Sequence, residues 1–128
     1  MPPVVSLRDF APVSDIDWTA ALRSAVAYVK GRGGGTLVVP EGRYVVSDTI
    51  VVSQVRGFVI QGRGAIATDF EWAGGLNRPM FVFNRTQGCF LEHVSMTARS
   101  AHPLLEGVRI QQGHWTPPIH IGRTSRHR

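Results

Sequence analysis

A single cysteine, Cys89, denies this 128-residue chain any internal disulfide. Long apolar runs are missing as well. No stretch approaches the roughly 20 residues of a membrane-spanning helix, so no membrane partner is expected. The opening residues, Met1 to Leu7, carry neither the charged nor the apolar region of a secretory signal, which leaves localisation undetermined. Asn-Gly and Asp-Gly pairs are absent, and with them the strongest short-range sign of β-hairpins. The five histidines form no H-E-x-x-H or other short chelating pair, and one cysteine does not complete a zinc set. No Asp-rich loop offers converging oxygens to calcium. We therefore expect no metal site and no cofactor.

What is present has a clear order. A short apolar run from Val4 to Phe10 reads as a strand, and the alanine-rich stretch from Trp18 to Lys30 reads as a helix. Trp18, Leu22, Ala25, Val26 and Val29 fall at helical spacing and make one apolar stripe. Asp15 or Asp17 suits the N-terminal cap, Lys30 and Arg32 suit the C-terminal end, and Gly31 or Gly33 suits the left-handed stop. After Gly33-Gly34-Gly35 the period changes to two. Short β-branched or aromatic runs begin at Leu37, Tyr44, Thr49, Phe58, Thr68, Met80, Cys89, Val94 and Val108. Breakers such as Pro40-Glu41-Gly42, Gly62-Arg63-Gly64 and Gln87-Gly88 separate them.

Short strands without hairpin turns suit a solenoid of about three coils, three strands to a coil, each stacked in parallel on the one before. The helix then serves as a plug, because the end of a solenoid exposes an apolar cross-section. Taking Leu37 to Val39, Phe58 to Ile60 and Cys89 to Leu91 as equivalent strands gives coils of roughly 20 to 30 residues. Phe58, Ile60, Cys89 and Leu91 then point inward, Val59 and Phe90 outward, and Glu92-His93 forms a corner.

These residues also resemble a known group. The run Val5-Ser6-Leu7-Arg8-Asp9-Phe10-Ala11, the helix start Asp15 to Leu22, the stretch Gly33-Gly34-Gly35-Thr36-Leu37-Val38-Val39-Pro40-Glu41-Gly42-Arg43-Tyr44, and Phe58 to Gly64 look like the N-terminal portion of the pectate-lyase superfamily. The triple glycine followed by a Pro-x-Gly-x-Tyr turn is the most specific part. The loop before the helix, Val13 to Thr19, is shorter than in that family. The resemblance implies a right-handed single-stranded parallel β-helix (pectin-lyase-like) with an N-terminal capping α-helix, over residues 1–113. It also implies a polysaccharide as partner, and catalytic carboxylates on central coils of much longer chains.

The net charge of +5 sits mostly in the tail, residues 114–128, where Arg123, Arg126 and Arg128 lie. That segment leaves the β period and reads as a disordered basic end; a short basic tail alone binds polyanions weakly, so no nucleic-acid partner is assigned. Gly62-Arg63-Gly64-Ala65-Ile66-Ala67 matches G-x-G-x-x-A, but a strand follows where a dinucleotide loop needs a helix. Asn84-Arg85-Thr86 is a formal glycosylation sequon, read as a polar corner.

Glycoside hydrolysis needs two acids flanking one bond. Asp69 and Glu71 alternate with Phe70 and Trp72 and so share the outer face of one strand; they are the candidates to weigh, and solvated strand-face charge is the reading adopted. Glu92-His93 is likewise read as solvent-exposed, and no catalytic residue is assigned. Cys89 reads as a buried free thiol. Tyr44 and Phe90 are the outward aromatics suited to weak glycan contact. Two functions are consistent with this pattern. One is an N-terminal fragment of a polysaccharide-degrading β-helix protein (pectate lyase or glycoside hydrolase-like), inactive alone; the other is a noncatalytic structural or glycan-binding module of tailspike or adhesin type. An open solenoid end near Met96 and Ile110 invites self-association.

Overall fold

A computed structural model describes residues 3–11, 17–75, 78–98 and 107–111. The basic segment 114–128 lies outside the described residues. The first strand, β1 (Val4–Ser6), is shorter than its apolar run, because a 3₁₀ turn takes over at Leu7–Phe10. Ser6 accepts the Arg8 amide on its hydroxyl, and Asp9 reaches back to the Ser6 amide, a reciprocal cap that breaks strand pairing.

Helix α1 (Thr19–Gly31) starts one residue later than expected. The N-cap position is Trp18, which makes no side-chain cap bond; Asp17, one residue before it, accepts the Thr19 amide at 2.9 Å, and Gly33, with φ +83°, turns the chain out of the helix. The expected stripe is the buried face: Leu22, Ala25 and Val29 are fully covered, with Trp18 and Val26 nearly so. It lies against the 3₁₀ turn, β2 (Gly35–Val38) and β4 (Ile50–Ser53). The Trp18 amide donates to Val45 O at 2.8 Å, covering the edge of β3 (Gly42–Val46).

The remaining strands are β5 (Phe58–Gln61), β6 (Thr68–Trp72), β7 (Phe81–Asn84), β8 (Phe90–Glu92), β9 (Ser95–Ala98) and β10 (Val108–Gln111). All pairings between them are parallel. The orders are β1-β2-β5-β8, β3-β6-β9 and β4-β7-β10, so from β2 onward the chain visits three sheets in turn and returns to the first. Among the described residues the fold is thus mostly β, with parallel sheets and one α-helix.

Register places like residues above one another. Leu37, Ile60 and Leu91 form one buried column, Tyr44, Phe70 and Met96 a second, and Val52 and Phe83, with the half-buried Ile110, a third. Aromatic rings tie the helix to the core: Trp18 meets Tyr44 edge-on at 5.0 Å, Tyr44 lies 6.0 Å from Phe70, and Phe70 5.3 Å from Phe81. Leu37 pairs with Ile60 rather than Phe58, a slip of two residues from the expected equivalence that keeps the same face inward. The cause is Gly35, which begins β2 opposite Phe58 while its amide donates to Gly57 O at 3.1 Å.

Tyr44 corrects an expectation. It is 2% exposed, not an outward aromatic, and its hydroxyl donates to Pro40 O at 2.8 Å. This bond closes the Pro-x-Gly-x-Tyr turn and explains why that turn ends in tyrosine rather than phenylalanine. Phe90 does face outward and is half-buried. Met96 is fully buried and Ile110 half-buried against the core.

Candidate functional site

Alternation along β6 puts Asp69 and Glu71 on the outer face, between the outer residues of β3 and β9. The expectation of a solvated acid nevertheless fails at Asp69, which is 8% exposed. Ser95 Oγ donates to its Oδ1 at 2.7 Å and Thr97 Oγ1 to its Oδ2 at 2.8 Å, while Arg43 Nε stands 3.4 Å from Oδ2 on the preceding strand. Both carboxylate oxygens are therefore occupied within the protein. Buried acceptors with this many donors act as structural ties between strands. Glu71 is half-buried and interacts with the surrounding protein.

Glu92 ends β8 and accepts from Gln61 Nε2 at 3.0 Å, one strand below. His93 makes the corner with φ +60°; its Nε2 lies 3.9 Å from Glu92 and its ring is exposed. An open cleft beside this corner is lined by Arg8, Val38, Pro40, Glu41 and Arg63. Arg8 Nη2 donates to Glu41 O at 3.2 Å, and Thr68 Oγ1 accepts the Arg63 amide at 2.9 Å. The sequence reading missed this cleft because its walls come from three separate segments of the chain, at Arg8, at Val38 to Glu41 and at Arg63. Gly62 to Ala67 forms a turn leading into β6, with no helix for a dinucleotide.

A second polar cluster ties the helix to the strands. Asp48 bonds Arg23 at 2.9 Å and also Arg78, and the Arg23 bond draws its carboxyl below the usual range. Burial pushes Asp17 up, but hydrogen bonds from Ser47 and Thr19 outweigh it and leave its carboxyl lowered. A lowered folded-state pKa adds stability that is present above the unfolded value near 4 and lost as pH falls through the folded one. We expect the urea midpoint to drop between about pH 5 and pH 3, with the drop shallower in Asp17→Asn. Urea melts at each pH check this; equal slopes in the two proteins would contradict it. The Asp48 pairs are exposed and contribute at most about 1 kcal/mol each.

Cys89 is buried, and its thiol donates to Gln87 O at 3.6 Å and Val55 O at 3.8 Å. Burial pushes it up, away from the reactive thiolate. Among the described residues no three His, Cys, Asp or Glu side chains gather as a metal ion requires, and no helix is long and apolar enough to cross a membrane.

No family model and no curated protein matches the sequence. Among solved structures, ORF18 of Geobacillus virus E2 has a similar fold, with a TM-score of 0.63 and 22% identity over 86% of this chain. The chain spans 24% of that protein's length. At this identity the likeness concerns fold alone.

Proposed function

We propose that this chain is the cap and first coils of a right-handed parallel β-helix protein of pectate-lyase-superfamily type, directed at polysaccharide, and that the described coils are its scaffold. The parallel columns and the helix at their start support the architecture, and crossovers between parallel strands are right-handed in about 98% of cases. The observation that carries the scaffold role is Asp69. A glycosidase needs one protonated and one ionised acid facing substrate, whereas this carboxylate spends both oxygens on Ser95, Thr97 and Arg43. In a longer protein of this type, cleavage belongs to later coils.

The same tied carboxylate fits a second reading, a noncatalytic structural or glycan-binding module of tailspike or adhesin type. The test is incubation with polygalacturonate while following reducing ends and the unsaturated product together. Hydrolysis yields only the first and lyase cleavage both. We expect neither. Turnover that disappears in Asp69→Asn or Glu71→Gln, with folding retained, overturns the scaffold role.

A further inference from the structure

The corner where β2 passes to β3 and β5 to β6 is tied together by one buried side chain. The Thr68 hydroxyl accepts the Arg63 amide at 2.9 Å and lies 3.3 Å from Val39 O and 3.4 Å from Pro40 O, so it joins two turns of the chain. Gly42 adds a bond across them, its amide donating to Ala67 O at 2.8 Å. From the next coil, Glu92 O accepts the Gly62 amide at 2.9 Å and His93 O the Gly64 amide at 2.8 Å. A Cβ at Gly62 would overlap His93 O, so the backbone around Arg63 is closely held.

Arg8 enters the same corner from the 3₁₀ turn. Its guanidinium donates to Glu41 O at 3.2 Å and to the hydroxyl of the buried Tyr44, which in turn donates to Pro40 O at 2.8 Å. Burial pushes the Tyr44 hydroxyl up, and the Arg8 cation opposes this only in part, so the ring is a neutral anchor for Arg8. The resulting cleft, about 390 Å³, is lined by the half-buried Val38 and Pro40 and by the exposed Arg8, Glu41 and Arg63. Among the described residues, neither Arg63 nor Glu41 belongs to an ion pair. Two cations and one anion thus border a small apolar surface, on a backbone that is fixed before any ligand arrives.

We propose that this cleft binds a free zwitterion, an α-amino acid with an aliphatic side chain. The carboxylate of the ligand meets the guanidinium groups of Arg8 and Arg63, its ammonium meets Glu41, and its side chain covers Val38 and Pro40. Charge balance selects this class. A phosphate or sulfate would meet Glu41 as a like charge, and a simple carboxylate would leave Glu41 without a counter-charge. No aromatic ring lines the cleft, so a base or a sugar ring finds no face to stack on. The site is independent of the polysaccharide reading.

The test is an NMR titration of the whole isotopically labelled chain with L-leucine, N-acetyl-leucine, leucinamide, inorganic phosphate, galacturonate and a peptide ending in leucine. We expect L-leucine to shift the amides of Val38, Glu41 and Arg63 with a Kd on the order of 1 mM, as a small ligand in an open cleft allows. N-acetyl-leucine lacks the ammonium and leucinamide the carboxylate, and each should bind about threefold to fivefold more weakly, the loss of one exposed ion pair. Arg63→Gln and Glu41→Gln should weaken L-leucine by the same factor, Glu41→Gln should leave N-acetyl-leucine no weaker, and Arg23→Gln should bind as the parent does. Absence of shifts at about 20 mM leucine, well above that constant, overturns the site. N-acetyl-leucine or phosphate bound as tightly as leucine makes the cleft a plain anion site and overturns the zwitterion. Tighter binding of the peptide or of galacturonate at the same amides assigns the cleft to a partner chain or to polysaccharide and overturns it as well. Equal loss in Arg23→Gln and Arg63→Gln reduces the effect to net charge and defeats the proposal.

Discussion

Leu22→Asp is expected to unfold the chain. Leu22 is fully buried in the face of α1 that lies against β2, β4 and the Leu7–Phe10 turn. Truncating a buried leucine to alanine costs about 2–5 kcal/mol, and a carboxylate adds the expense of a charge with no partner among apolar neighbours. The sum, about 5 kcal/mol or more, rivals the whole stability of a small domain. Circular dichroism and urea melts check it: a lost transition, or a midpoint reduced by several molar, is the expected result. An unchanged midpoint would remove the helix from the core.

Gly34→Ala should act nearly as strongly, and by a different route. Gly34 has φ +121°, where side-chain-bearing residues are strained, and a Cβ there would overlap the Arg56 carbonyl oxygen. The backbone strain alone costs about 1–3 kcal/mol, and the overlap must be relieved by moving another strand connection. We expect a loss of about 3 kcal/mol or more. Gly31 supplies the contrast. It ends α1 with open space where a Cβ would go, so Gly31→Ala should stabilise by about 0.4–1 kcal/mol. Equal responses at the two positions would contradict this account of the glycine run.

Much of the fold was legible because its signals are local. The helical stripe from Trp18 to Val29 and the period of two from Leu37 onward reflect which face each element buries. The end of β1 was missed: Ser6 and Asp9 stand at capping-box spacing, but the apolar run through Phe10 suggested a longer strand. Tyr44 was misplaced although Val46, two residues on and fully buried, marks the inward face of the same strand. The environment of Asp69 was not legible. Its partners Ser95 and Thr97 are 26 and 28 residues away, and Arg43 belongs to the strand on the other side. Such contacts depend on register, which a glycine-led strand such as β2 leaves open to a two-residue slip.

The most direct test of the stacked parallel arrangement is the network of short proton contacts between strands, measured by solution NMR on isotopically labelled chain. The account requires backbone contacts joining Tyr44 to Phe70 and Phe70 to Met96, with Val59 beside Phe90, all in parallel register. Contacts pairing neighbouring strands in antiparallel fashion, such as Val46 with Ile50 across a hairpin, would contradict it.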